Sequence, residues 1–372
     1  MPLLPAITSP TLLVHEAVCK ANIARMSDKG RKHRLNLIPH FKTHQSRAIG
    51  NWYKEYGIEE ITVSSLHMAE YFVGQSWKNI HIAFPFNPLE IDLLEQLTLQ
   101  SSISIQLVNA QVTQLLADRL QNPVEFFIEI DAGYGRAGIE VSDFGAIEAI
   151  MRIANRSDKL NFKGFYIHAG HTYHADPAGI HRIHEQTKSA LKMLKDKYFD
   201  EFPSLKTRIG DTPSCSLESD FDGVDEIGPG NFVFYDLTQV HIGSCNKSDI
   251  GIALAAPVVD IKKTKHEILI HGGGVHLAKD VLTYPDGSQN FGELVVFNGQ
   301  GWDIPETPSF LKSISQEHGL VNATDELLSK VKVGDIIGIL PVHSCMTADC
   351  MRGFLGLSGE KLDHFKGQQK LQ

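Results

Sequence analysis

Short apolar runs of strand length alternate with amphipathic stretches of helix length over the first two-thirds of the chain. This alternation constrains the fold more than any other feature. The runs are residues 35–41, 61–65, 80–84, 103–108, 125–131, 162–168, 205–211 and 224–228. Between them lie residues 46–57, 65–75, 89–99, 112–120, 142–155 and 179–198, whose apolar positions recur at helical spacing. Eight strand–helix units in series predict an α/β fold, a (β/α)8 barrel of TIM type. Past about residue 240 the pattern changes. Residues 252–274, 292–301, 314–322 and 333–345 read as antiparallel strands joined by Gly, Asn and Asp turns. The chain therefore divides into a barrel over 12–240 and a smaller β-rich domain over 241–372. Residues 1–11 are available to add a strand to the second.

Several function classes are disfavoured at once. The net charge is −9 and no Lys/Arg-rich block occurs, so no nucleic-acid partner is expected. No apolar run approaches the ~18 residues that span a membrane, and the first twenty residues lack the pattern of a signal peptide. Five cysteines in 372 residues, with no CxxC, fit a reducing cytoplasm. Eighteen histidines are a surplus that points to metal or acid–base chemistry.

In such a barrel the chemistry lies at the C-terminal ends of the strands. Strand one runs into Pro39-His40-Phe41-Lys42-Thr43-His44. A lysine there reads either as a solvated loop residue or as a Schiff-base nucleophile, since desolvation and neighbouring cations favour the neutral amine. Strand five ends in Gly135-Arg136-Ala137-Gly138, strand six in Tyr166-Ile167-His168-Ala169-Gly170-His171-Thr172-Tyr173-His174. Strands seven and eight end in Gly210-Asp211-Thr212-Pro213-Ser214 and Gly228-Pro229-Gly230-Asn231. Barrels often bind phosphate at these last two turns, where glycine admits close approach and Thr212 adds a hydroxyl. Farther on, His343 and Cys345 stand two apart on a segment read as extended. That spacing puts two zinc-type ligands on one face. Alone, the same pair also reads as a buried cysteine beside a chance histidine.

Taken together, these segments resemble the fold-type III pyridoxal phosphate (PLP) enzymes, the alanine racemase-like barrels, over nearly the whole chain. Within them the likeness is to the D-serine dehydratase and D-threonine aldolase group. The resemblance implies that Lys42 holds PLP and that Tyr166, His168 and Tyr173 lie against the cofactor. It also implies that Thr212, Gly230 and Asn231 bind its phosphate and that Arg136 approaches its phenolic oxygen. His343 and Cys345 match the group's metal motif, which implies Zn2+ or another divalent metal, and the cysteine leans toward dehydratase. Ile38, Gln45 and the segment starting at His271 depart from the group's usual residues, and these departures bear on the substrate.

The expected activity is β-elimination from a small D-3-hydroxy amino acid such as D-serine, giving a 2-keto acid and ammonia. Retro-aldol cleavage or racemisation on the same PLP site is the alternative. A metal-dependent barrel hydrolase using His40, His44, His168, His171 and His174 is a distant one, and a PLP carrier without enzymatic activity another. The resemblance further implies a homodimer.

Overall fold

The computed structural model describes residues 7–74, 77–284 and 286–368. All eight predicted barrel strands are present, as Asn36–Leu37, Glu60–Val63, Asn79–Pro85, Ser102–Leu107, Val124–Asp131, Leu160–Ile167, Lys206–Ile209 and Glu226–Ile227. They pair in parallel, each with its chain neighbours, and the first also pairs with the eighth. A parallel bridge between His40 and Thr62 joins the first strand to the second and closes the ring. The fifth strand is buried along almost its whole length. Parallel strands covered on both faces read as near-continuous apolar runs for this reason.

Helices follow the strands as the spacing predicts: Arg47–Lys54, Leu66–Val73, Ile91–Thr98, Ala110–Arg119, Phe144–Ala154 and Pro177–Tyr198. Their starts are set by polar side chains that accept an otherwise orphaned backbone N–H. Ser65 takes that of Met68 (3.2 Å), Asn109 that of Val112 (2.8 Å) and Asp176 that of Gly179 (2.7 Å). A further helix, Glu16–His33, precedes the first barrel strand.

Two compact units result. One comprises Ala24–Lys42 and Tyr53–Gly230, which hold the barrel strands. The other comprises the residues up to Ile23, Thr43–Trp52, and the chain from Asn231 on. In the latter, a largely antiparallel sheet runs Glu267–His271, His318–Asn322, Phe310–Ile314, Gly292–Phe297, Ile336–Pro341, Ile252–Lys262. The last of these pairs back onto the first, so these strands form a closed ring. Its interior is apolar: Leu254, Val258, Ile268, Ile270, Leu294, Leu311, Val321 and Ile339 are each at most 1% exposed. The Thr11–Val14 strand pairs with Ile252–Lys262 and so begins at the end of the 1–11 stretch. Residues 1–6 of that stretch lie outside the described residues. No helix among the described residues is long and apolar enough to cross a membrane.

Candidate active site

Lys42 follows Phe41, whose N–H donates to the Thr62 carbonyl at 2.8 Å. The Phe41 ring is fully buried against Tyr53, Phe72 and Trp77, with centroids 4.9, 5.1 and 5.3 Å away. This packing anchors the backbone that carries the lysine. The Lys42 N–H donates to His40 Nδ1 at 3.3 Å. Burial, and then the Lys42 charge, hold the His40 and His168 imidazoles far below their ordinary range, His168 at about 3. The lysine therefore has two neutral rings for neighbours.

The His168 ring is fixed by its Nδ1–H, which donates to the Gly210 carbonyl at 3.1 Å. Tyr166 is buried, and burial pushes its phenol up, so it stays protonated. Gly210 must be glycine: a Cβ there would fall 2.0 Å from the Tyr166 hydroxyl. The two phosphate-type turns converge. The Gly230 N–H donates to Thr212 Oγ1 at 3.3 Å, and the Thr212 N–H donates to the Tyr173 hydroxyl at 3.2 Å. Beside Thr212, the buried Ser214 hydroxyl has no hydrogen-bond partner.

Arg136 sits on the loop after the fifth strand. Both Asp131 carboxylate oxygens shape that loop, accepting the N–H groups of Gly133, Tyr134 and Gly135 at 2.8–3.1 Å. Gly138 closes it at φ +106°, with no room for a Cβ, which would lie 2.6 Å from the Asp131 nitrogen. Arg136 is exposed and lies over the Tyr134 ring, 5.1 Å from its centroid. Its charge also reaches Glu129, a buried carboxyl with one oxygen unpaired. Burial raises Glu129 to about 7 against the opposing pull of Arg136. Sequence reasoning passed over Glu129, although a carboxylate inside the apolar run 125–131 was a usable signal.

The metal motif differs locally from the extended segment expected. Ser344–Met351 is a helix, with His343 in an extended conformation at its N-cap and Cys345 in its first turn. The two side chains still meet. Burial alone would lower His343, but hydrogen bonds to Asp280 and Cys345 raise it to about 11. Burial alone would raise Cys345, but the His343 hydrogen bond and charge bring its thiol below the usual value. The Cys345 thiol also lies 3.3 Å from Thr43 Oγ1. Asn231, assigned to phosphate from the sequence, directs its side-chain amide to Asp236 (2.7 Å), Ser344 (3.0 Å) and Cys345 (3.6 Å). Asp280, 3.2 Å from His343 Nδ1, was missed. It lies 63 residues away in the chain, and only the tertiary fold joins the two.

Among the described residues, the group of three whose ligand atoms converge is His271, His276 and Glu317. It contains none of the five histidines that the hydrolase reading invokes.

Residues 14–234 match the model described as "Alanine racemase, N-terminal domain", and residues 251–357 the one described as "Putative serine dehydratase domain". The chain belongs to the alanine racemase N-terminal domain family. The chain is 30% identical to a D-serine dehydratase of Dictyostelium discoideum, over 92% of this chain and 91% of that one. It is 26% identical to the D-threo-3-hydroxyaspartate dehydratase of Delftia sp. (strain HT23), over 95% of each. A metal-free form of a D-threo-3-hydroxyaspartate dehydratase variant superposes with a TM-score of 0.89 at 24% identity, covering 98% of this chain and 99% of that one, which shows a shared fold. The family is PLP-dependent, and the chain is a lyase-type enzyme of its dehydratase branch. The barrel residues fit that cofactor: a lysine between neutral imidazoles, two converging donor turns, and a buried hydroxyl with nothing to bind. The sulfur and nitrogen of Cys345 and His343 fit a borderline-soft divalent ion.

Proposed function

We propose that the chain eliminates water from a small D-3-hydroxy amino acid such as D-serine, giving a 2-keto acid and ammonia. PLP would be held by Lys42 and a zinc ion by His343 and Cys345. The observation that carries the reading is the hydrogen-bonded His343–Cys345 pair, on a chain that aligns over 92% of its length with a D-serine dehydratase. We further propose that the enzyme works as a cytoplasmic homodimer.

The roles follow from the chemistry of each group. Bound PLP supplies an electron sink that makes the substrate's Cα–H acidic. The Lys42 amine holds the cofactor between turnovers and, once freed, accepts the Cα proton at Nζ. Its neutral neighbours His40 and His168 offer no proton that would quench this base. Thr212, the Ser214 hydroxyl and the Gly230 turn would hold the phosphate, with the Gly230 N–H donating to Thr212 Oγ1 and the Tyr173 hydroxyl buttressing Thr212 through its backbone N–H. Tyr166, held protonated, and His168, locked by Gly210, fix the walls against which a flat ring can lie. Arg136 would supply positive charge toward the bound cofactor. The Asn231 side chain is engaged by Asp236, Ser344 and Cys345, so any donation from Asn231 to the phosphate would come from its backbone. A bound divalent ion supplies Lewis-acid help to a departing hydroxide. Asp280 would orient His343 toward that ion from behind, as outer carboxylates do for ligand imidazoles.

The test is product analysis with PLP- and zinc-loaded protein on D-serine, D-threonine and D-threo-3-hydroxyaspartate. Keto acid and ammonia in equal amounts are expected. Glycine plus an aldehyde, without keto acid, would overturn the assignment.

A further inference from the structure

The Gly272–Gly274 run is tied closely to the turn between two other strands. The Gly272 N–H donates to the Glu317 carbonyl at 2.9 Å, that of Gly274 to Ser315 at 2.7 Å, and that of Val275 to Gln316 at 3.2 Å. A Cβ on Gly273 would meet the Ser315 carbonyl at 2.5 Å, and one on Gly319 would meet the Gly272 carbonyl at 2.5 Å. The glycines thus permit a backbone approach that larger residues would block. Its result is to gather three ligand-type side chains. His271 ends the Glu267–His271 strand, His276 lies in the Gly274–Leu277 helix, and Glu317 lies in the turn. Nε2 of His271 stands 3.4 Å from Glu317 Oε2, and Nε2 of His276 stands 3.6 Å from the same oxygen. The imidazoles meet edge to face at 5.6 Å. One potential ligand atom from each residue lies within 4.8 Å of the other two. Neither the proposed elimination nor the His343–Cys345 pair uses any of them.

We propose that His271, His276 and Glu317 form a second metal site that takes a divalent transition metal such as zinc, with a fourth position open to water. Two imidazole nitrogens and one carboxylate oxygen suit zinc, whereas magnesium and calcium prefer shells of oxygen. The partly exposed setting gives the ion direct entry from solvent. One feature limits affinity. His276 Nδ1 accepts the Gly273 N–H at 3.2 Å, which leaves the ring proton on Nε2. Coordination through Nε2 shifts that proton to Nδ1 and gives up the Gly273 hydrogen bond. The site should therefore bind zinc more weakly than one whose tautomer is already set by an outer acceptor.

Zinc titration of the PLP-loaded full chain tests this, with Cys345→Ser as the background so that the His343–Cys345 pair is not read. One zinc per chain should still bind. Adding His276→Ala or Glu317→Gln should raise the zinc Kd by more than about tenfold, because losing a ligand costs at least as much as losing its outer partner. Magnesium should not compete. Cupric ion in place of zinc should show nitrogen hyperfine coupling that His271→Ala reduces. Circular dichroism of each variant checks that it folds, and Glu317→Gln, a near-isosteric change at the surface, keeps the test open should a histidine variant fail. Absence of zinc binding in the Cys345→Ser protein, or an unchanged Kd in folded Glu317→Gln, would overturn the proposal.

Discussion

His343 presents Nδ1 to the Asp280 carboxylate at 3.2 Å, and the same ring is hydrogen-bonded to Cys345. A carboxylate behind a ligand imidazole fixes its tautomer and raises its basicity, and removing one usually costs about 10–100-fold in metal affinity. Asp280→Asn should weaken zinc binding at His343 and Cys345 by a factor in that range while leaving the PLP dissociation constant unchanged. Metal titration in a His276→Ala background reads this directly. An unchanged zinc affinity would remove the positioning role from Asp280.

Thr212→Val tests the converging turns. The change keeps the shape of the side chain but deletes the hydroxyl that meets the Gly230 N–H. A hydrogen bond to a charged group contributes roughly 1.5–3 kcal/mol, so the PLP dissociation constant should rise about 10–100-fold. The visible band of lysine-bound pyridoxal should look normal once the site is saturated. Equilibrium dialysis decides it.

How far the site could be read from the sequence follows the range of the interactions. The barrel strands were legible because parallel strands are covered on both faces and read as apolar runs. Even there, only Asn36 and Leu37 of the 35–41 run form a strand, since Pro39 has no N–H for a ladder and His40 meets Thr62 by a single bridge. The Glu16–His33 helix was not anticipated. Its buried positions Cys19, Ile23 and Met26 are diluted by lysines, arginines and aspartate. Lys42 and the turns at Thr212 and Gly230 stood out as candidates because they lie at strand ends. The helix beginning at Ser344 was hidden because the strand before it runs up to Pro341, and nothing local marks His343 as a cap. Asp280 required the folded chain, since it acts through a residue 63 positions away, whereas Glu129 stood in plain view as a carboxylate within an apolar strand run.

Glu129 gives a pH signature. Its folded value of about 7 lies above the ordinary carboxyl value of 4.5. Between these two values the native state binds more protons than the unfolded one, so this group's stabilisation is full below pH 4.5 and is lost as pH rises to 7 and beyond. Glu129→Gln should remove that loss. Relative to the native protein, the variant should gain stability on going from pH 4.5 to pH 8, by on the order of 3 kcal/mol. Urea unfolding at the two pH values measures it, and a pH-independent difference would show that Glu129 is not held protonated.

Cys345→Asp exchanges a soft sulfur for a hard oxygen at the metal motif. Metal preference should move from zinc toward manganese and magnesium, and glycine with an aldehyde should begin to appear among the products from D-threonine. Competition between metals, followed by elemental analysis, reads the first effect. Retained zinc preference would mean that Cys345 is not a ligand.

The central claim is that metal at His343 and Cys345 serves departure of the β-hydroxyl, while Lys42 and PLP alone serve the Cα proton. The most direct measurement is pyruvate formation from D-serine beside Cα proton exchange with solvent, in zinc-loaded protein and in the same protein after chelation. The account predicts that chelation sharply cuts pyruvate formation, that proton exchange persists, that β-chloro-D-alanine is turned over far better than D-serine, and that added zinc restores the D-serine rate. Full-rate pyruvate formation by metal-free protein would contradict it.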